Sequence, residues 1–162
     1  MMFKKLLAIT FLALTPAVAD EIKVNMPFAA HHFGDRHDGG KWNEYFLDDG
    51  AIGISYIADN GLGASVNTSI NSYGKNRSIY VTADYMPEIW SNGDLFAVNA
   101  GGHIGFATNY KELSGSGMIP FVGASIEGEV GNFSLMATLT PSYKDAPSAV
   151  IFMARFSVYG WE

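Results

Sequence analysis

The fold is decided near the end of the chain, where residues 149–159 read AVIFMARFSVY. In this stretch the apolar side chains of Phe152 and Phe156 alternate with the polar side chains of Arg155 and Ser157. A hydrophobic period of two is typical of a β-strand with one apolar and one polar face. The end of the chain therefore predicts a strand that separates an apolar environment from a polar one.

The same alternation recurs between turn signals along the rest of the chain. Short turns are indicated at Asn60-Gly61 and at Gly131-Asn132, and longer polar links connect most other segments. Most segments are close to the roughly 9–11 residues that a tilted strand needs to cross a bilayer. We predict an all-β fold, an eight-stranded antiparallel transmembrane β-barrel of the outer-membrane type. Its strands are expected at roughly 21–32, 50–59, 61–71, 78–87, 95–106, 118–129, 132–141 and 149–161.

The polar faces of the strands distinguish this barrel from a soluble one. They carry Asp84, His103, Glu127 and Arg155, which make a poor apolar core but a workable hydrogen-bonded lumen. The alternative is a periplasmic β-sandwich or lipocalin-like barrel with its apolar faces turned inward. Aromatic residues near the strand ends favour the membrane barrel, because they suit interfacial girdles: Tyr85, Trp90, Phe106, Tyr110, Tyr143, Tyr159 and Trp161.

The start of the chain has the pattern of a secretory signal peptide. Lys4 and Lys5 precede an apolar run of nine residues, and small residues up to Ala19 follow. The apolar run is too short to span a bilayer as a helix. We therefore predict a signal peptide at 1–19 and an outer-membrane β-barrel at 20–162, exported to the cell outer membrane.

Composition excludes several other classes of protein. Without the predicted signal peptide the chain keeps 8 basic and 16 acidic residues, so no basic surface is available for nucleic acid. Cysteine is absent, which excludes disulfides and thiolate metal sites. The four histidines lack a ligand-like spacing, so we expect neither a metal nor another cofactor.

A resemblance to a known family adds a function to this fold. Four short motifs occur in order over nearly the whole mature chain: PFAAHH at 27–32, NE at 43–44, NSYGK at 71–75 and FMARF at 152–156. Together they resemble PagP, the family of outer-membrane lipid A palmitoyltransferases. The resemblance implies a monomeric enzyme that moves an acyl chain from a glycerophospholipid to lipid A in the outer membrane.

The resemblance also implies the catalytic residues. The family needs a histidine at the end of its first strand and an adjacent Asp-Ser pair at the end of its third, which correspond here to His32, Asn71 and Ser72. A histidine beside a hydroxyl suits acyl transfer, because the imidazole can remove the proton of the attacking hydroxyl. An asparagine in place of the aspartate can hydrogen-bond the imidazole but cannot supply negative charge. Either another carboxylate serves, or none is needed, or the transfer activity is lost; the candidate carboxylates are Glu44, Asp48 and Asp49.

The choice between two adjacent histidines rests on spacing. The family has a proline five residues before its histidine, and Pro27 has that spacing from His32. Strand parity counted from Lys23 would instead turn His31 toward the lumen. We favour His32, because a bulge within the strand can reset the parity.

Two further expectations concern the path and the depth of an acyl chain. Pro27 and Pro141 lie within or at the end of predicted strands, where proline removes a ladder hydrogen bond, and each marks either a lateral gap or simply a strand end. In the family a glycine at the lumen floor sets the accepted chain length, and an ungapped count places Ala83 near that position.

Two other functions fit the same scaffold. A lipid A deacylase or phospholipase would use Ser72 as a nucleophile that attacks the ester directly. A non-enzymatic barrel used for adhesion or envelope integrity would have a wholly polar lumen without an acyl pocket.

The signal peptide generates the first testable prediction. When the chain is expressed with an active export pathway, we expect N-terminal sequencing of the membrane-associated protein to begin at Asp20. A protein that keeps Lys4 and Lys5 would contradict the prediction. Replacing Ala17 and Ala19 by bulky residues should block the cleavage and serves as the control.

Overall fold

The computed structural model describes residues 21–34, 45–46, 50–70, 76–93, 95–111, 113–144 and 146–159. These residues form ten β-strands, and no helix among them is long and apolar enough to span a membrane. The strands are β1 (Glu21–His32), β2 (Tyr45–Phe46), β3 (Ile52–Ile57), β4 (Leu62–Ile70), β5 (Arg77–Tyr85), β6 (Glu88–Ser91), β7 (Ala97–Ala107), β8 (Ile119–Val130), β9 (Phe133–Thr140) and β10 (Ala149–Tyr159).

Eight of these strands close into an antiparallel barrel. Around the barrel the order is β1, β3, β4, β5, β7, β8, β9 and β10, and β10 pairs with β1 to complete the circle. The short strands β2 and β6 lie off this circle, paired with β1 and β7. The predicted eight-stranded antiparallel barrel is thus confirmed, although β3 is shorter than expected and neither β2 nor β6 was predicted.

The two ends of the barrel differ in the length of their connections. At one end, called here the short-turn end, the connections run through 58–61, 86–96 and 131–132. Gly61 and Gly131 adopt the left-handed conformation there, with φ angles of 79° and 54°, which explains the predicted turns. The opposite end, called the long-loop end, carries the connections after β1, β4, β7 and β9.

The polarity of the barrel is inverted relative to a soluble protein. The lumen-facing side chains are largely polar, and Asp84, His103, Glu127 and Arg155 are all buried there, as predicted. Most of the large apolar side chains of the barrel strands point outward instead. Exposed examples on successive strands are Met26, Ile54, Val66, Ile79, Ile104, Ile126, Leu135 and Phe156. This arrangement excludes the sandwich with an apolar core and is that of outer-membrane barrels.

An ion cluster fills the lumen near the short-turn end. Glu127 is 1% exposed and accepts hydrogen bonds from Arg155 Nη1 at 2.8 Å and from Lys23 Nζ at 3.3 Å. Glu129 and Glu21 also pair with Lys23, which is itself 1% exposed. Buried charges are tolerated only when they are paired and hydrogen-bonded, and here each is. The cluster joins β1, β8 and β10 across the lumen.

The ion cluster generates a prediction about stability. Glu127→Gln removes the only negative charge that contacts both Lys23 and Arg155 within the described residues, so we expect a loss of about 3–5 kcal/mol in the free energy of unfolding. Denaturant unfolding in detergent micelles measures this loss. Glu88→Gln, on exposed β6, is the matched control and should change the free energy by less than about 0.5 kcal/mol. Equal effects in the two variants would contradict the assignment.

Candidate functional site

His32 faces the barrel lumen at the long-loop end of β1. Its side chain is buried, with 7% exposure, whereas the adjacent His31 is exposed and packs edge-on against Phe33 with ring centroids 5.2 Å apart. The structure therefore turns the favoured histidine inward and the alternative histidine outward.

A register shift within β1 explains this orientation. Lys23, Asn25 and Pro27 point inward at every second position, but the register with β10 shifts between Pro27 and Ala29. Beyond the shift the inward positions are Ala30 and His32. Proline cannot donate a ladder hydrogen bond, so an irregularity is tolerated at this point in the strand.

The partners proposed for His32 lie outside the described residues. They are Asn71, Ser72 and the candidate carboxylates Glu44, Asp48 and Asp49. The described part of β4 ends at Ile70, one residue before Asn71. Ser69 and Ile70 line the same cavity as His32, so the end of β4 and the end of β1 border one space.

That cavity, called here the long-loop cavity, has a volume of about 140 Å³. Most of its wall is apolar, and the polar side chains on it include His32 and Thr140. A dry apolar cavity of about 150 Å³ can hold a benzene molecule, so the free space corresponds to a few methylene groups. The main apolar and aromatic lining residues are Ala30, Ile70, Tyr80, Ile119, Phe121 and Ile151.

The long-loop cavity lies beside a part of the barrel wall where the β8–β9 ladder is incomplete. The ladder between β8 and β9 begins at Ala124 and Leu139, so among the described residues positions 119–123 of β8 have no ladder partner on β9. The cavity contacts Phe121, which points inward, and also Val122, which points outward. Pro141 follows β9 at this point and lines the same space. The long-loop cavity therefore borders the stretch of β8 that has no ladder partner on β9.

The loop after β7 folds onto the cavity. Tyr110 is 4% exposed and its hydroxyl lies 2.8 Å from the hydroxyl of Tyr80. It packs in an apolar cluster with Ala107, Leu113 and Ile119. The prediction that Tyr110 belongs to an interfacial girdle is therefore wrong, whereas Tyr85, Trp90 and Phe106 are exposed near strand ends as expected.

The residue predicted near the floor of the pocket does not face the lumen. Ala83 lies on the outer face of β5, and its neighbours Thr82 and Asp84 point inward instead. Ala83 itself therefore does not form the floor of the lumen. A second cavity of about 50 Å³, called here the mid-lumen cavity, shares the lining residues Phe121 and Ile151 with the first.

A row of hydrogen-bonded side chains beside the mid-lumen cavity was not predicted as a site. His103 Nδ1 lies 2.8 Å from Asp84 Oδ1, and His103 Nε2 lies 2.6 Å from Ser125 Oγ. Sequence reasoning expected His103 to hydrogen-bond in the lumen, which is confirmed. It did not identify these partners, because their meeting depends on the register of three strands, β5, β7 and β8.

No group of three or more histidine, aspartate or glutamate side chains among the described residues is arranged to hold a metal ion. No protein-family model matches the chain, and a comparison with characterised proteins gives no match. The resemblance to PagP therefore rests on the four short motifs and their order.

Proposed function

We propose that the protein is an outer-membrane acyltransferase that moves an acyl chain from a glycerophospholipid to lipid A. The observation that carries the proposal is the long-loop cavity, which combines an apolar wall, an inward His32 and an incomplete β8–β9 ladder that would serve as a lateral opening. An acyl donor in the surrounding membrane needs all three: a route through the barrel wall, space for methylene groups and a base near the ester.

The outer surface of the barrel supports a membrane location. Large apolar side chains are exposed on every barrel strand, whereas soluble monomers rarely expose contiguous apolar patches above a few hundred Å². The proposed lateral opening lies within this surface, next to the exposed Val122. An acyl chain would thus enter the long-loop cavity without crossing water.

His32 is the proposed general base. Its imidazole would remove the proton from the acceptor hydroxyl of lipid A as that oxygen attacks the donor ester, and would return a proton to the departing lysophospholipid oxygen. Asn71 and Ser72 would position the acceptor hydroxyl or donate hydrogen bonds to the developing oxyanion. Arg77, exposed at the start of β5 at the long-loop end, suits a lipid phosphate.

The small volume of the long-loop cavity bears on the length of the acyl chain that it can hold. The free space corresponds to a few methylene groups. Because palmitate is longer than this space, the mass of the transferred group should be measured rather than assumed.

A substitution that places a charged side chain on the outer surface tests the membrane location. Ile126 is 55% exposed in the middle of β8 and would face lipid. We therefore expect Ile126→Arg to destabilise the barrel folded in lipid vesicles by about 2–4 kcal/mol. Asn132→Arg, in the exposed short turn after β8, is the matched control and should cost little. Folding of Ile126→Arg with unchanged free energy would indicate that this surface faces water.

The acyl transfer is tested by mass spectrometry of lipid A. The protein is expressed in a Gram-negative host that lacks its own palmitoyltransferase, and we expect lipid A to gain one acyl chain. His32→Ala and Ser72→Ala should abolish the gain, whereas His31→Ala is the matched control because its side chain faces outward.

Each other outcome of this experiment has a definite meaning. Loss of an acyl chain from lipid A would favour the deacylase. Unchanged lipid A, with the barrel folded in the outer membrane, would contradict the enzyme and leave a structural barrel. A gain that persists in His32→Ala but disappears in His31→Ala would contradict the choice of histidine.

A further inference from the structure

Two loops at the long-loop end pack together beside the long-loop cavity. The loop after β7 contributes Tyr110 and Leu113, which are buried, with exposures of 4% and 6%. The loop after β9 contributes Tyr143 and Ala146, which are partly buried and pack against the same apolar cluster. These four side chains are called here the apolar cap. Tyr110, Tyr143 and Ala146 line the same cavity as His32, so the cap forms part of the wall around the proposed base.

Hydrogen bonds hold the apolar cap in one arrangement. Within the loop after β7, Tyr110 N donates to Gly117 O at 2.9 Å, and Leu113 N donates to Tyr110 O at 3.0 Å. The Tyr110 hydroxyl lies 2.8 Å from the hydroxyl of Tyr80 on β5. Lys144 Nζ, in the loop after β9, donates to Leu113 O at 2.8 Å. The two loops are therefore tied to each other, and one of them is tied to the barrel.

The proposed reaction needs such a cap, because the base cannot choose the attacking oxygen. An imidazole that can remove a proton from a lipid hydroxyl can also remove one from water, since both are weakly acidic O–H groups. If water attacks the donor ester, the products are a free fatty acid and a lysophospholipid, and no acyl group reaches lipid A. Enzymes prevent such side reactions by closing the site and expelling water. An apolar wall beside the base has this effect.

We propose that the apolar cap excludes water from His32 and so directs the donor acyl group to a lipid hydroxyl. The inference rests on the proposed acyl transfer and names the groups that determine its acceptor. In transfer, the acceptor oxygen bonds to the carbonyl carbon and the ester C–O bond breaks, while His32 carries the acceptor's proton to the departing lysophospholipid oxygen. Hydrolysis has the same steps with water as the attacking oxygen. Tyr110 and Leu113 are specificity-determining residues in this scheme, and neither takes part in the proton transfer.

The first measurement reads water access beside His32 without any catalysis. The chain has no cysteine, so a single introduced thiol reports on one position. Ala149 lies opposite His32 in the ladder between β1 and β10, lines the long-loop cavity and is 6% exposed. In the folded barrel, Ala149→Cys should react with a small anionic methanethiosulfonate at least about tenfold more slowly than Asn132→Cys in the exposed short turn, because a covered position reacts only when the cap opens. Equal rates would overturn the proposal, and this comparison requires no change in the cap.

A variant that loosens the cap completes this measurement. Leu113 packs in the cluster but does not line the cavity, so Leu113→Ala leaves the cavity wall unchanged. In the Ala149→Cys background we expect Leu113→Ala to raise the thiol reaction rate by about tenfold, since truncation of a buried leucine weakens the packing around it. Met118→Ala is the matched control, because Met118 is in the same loop but is 51% exposed, and it should leave the rate unchanged. A rate that stays low in Leu113→Ala would overturn the role of the cap.

The second measurement reads the acceptor directly. The barrel, without introduced thiols, is reconstituted in vesicles that contain a glycerophospholipid and lipid A, and mass spectrometry quantifies acylated lipid A and free fatty acid. We expect mainly acylated lipid A from the unaltered chain, and a ratio of free fatty acid to acylated lipid A that rises about tenfold in Leu113→Ala but not in Met118→Ala. Donor cleavage with the same ratio in all three proteins would overturn the role of the cap and leave acyl transfer standing. No donor cleavage by the unaltered chain would contradict the proposed function and this inference with it.

Discussion

Closure of the sheet between β1 and β10 is the constraint on which the rest of the structure depends. An open sheet leaves unpaired N–H and C=O groups along its two edge strands, and a closed barrel removes both edges. The ladder that closes the barrel runs from Ile22 and Tyr159 to His32 and Ala149. It also contains the register shift after Pro27, so the strand pairing that completes the barrel is what directs His32 into the lumen.

The side chains inside the closed wall form two zones of different chemistry along the lumen. Charged side chains around Glu127 occupy the short-turn half, and apolar side chains surround free space in the long-loop half. His103 and its partners lie between the two zones. The buried ion pairs therefore lie away from the cavity, whereas the incomplete ladder between β8 and β9 lies beside it. This separation would let one part of the barrel maintain the fold while another part accepts the proposed acyl chain.

Most of the fold could be predicted from the sequence, because a period of two assigns each residue to one face of its strand. The inward position of Asp84 and the glycine turn at Gly131 followed directly from such local patterns. The meeting of His103 with Ser125 could not be predicted, since face alone does not say which residues on neighbouring strands lie opposite each other. Tyr110 was misplaced for a different reason: its position depends on how a long connection folds back, which alternation does not encode. Asn71 and Ser72 remain predictions from the motifs.

The packed ion cluster also determines whether water and ions can pass along the barrel axis. Lys23, Asn25 and Glu127 are each no more than 1% exposed, so at their level the described side chains leave no water-filled channel along the barrel axis. A solute that reached the long-loop cavity would meet fixed charges already neutralised by one another rather than a hydrated pore. If the barrel spans a bilayer as proposed, it would therefore carry no ionic current, and many copies could accumulate without weakening the permeability barrier of that membrane.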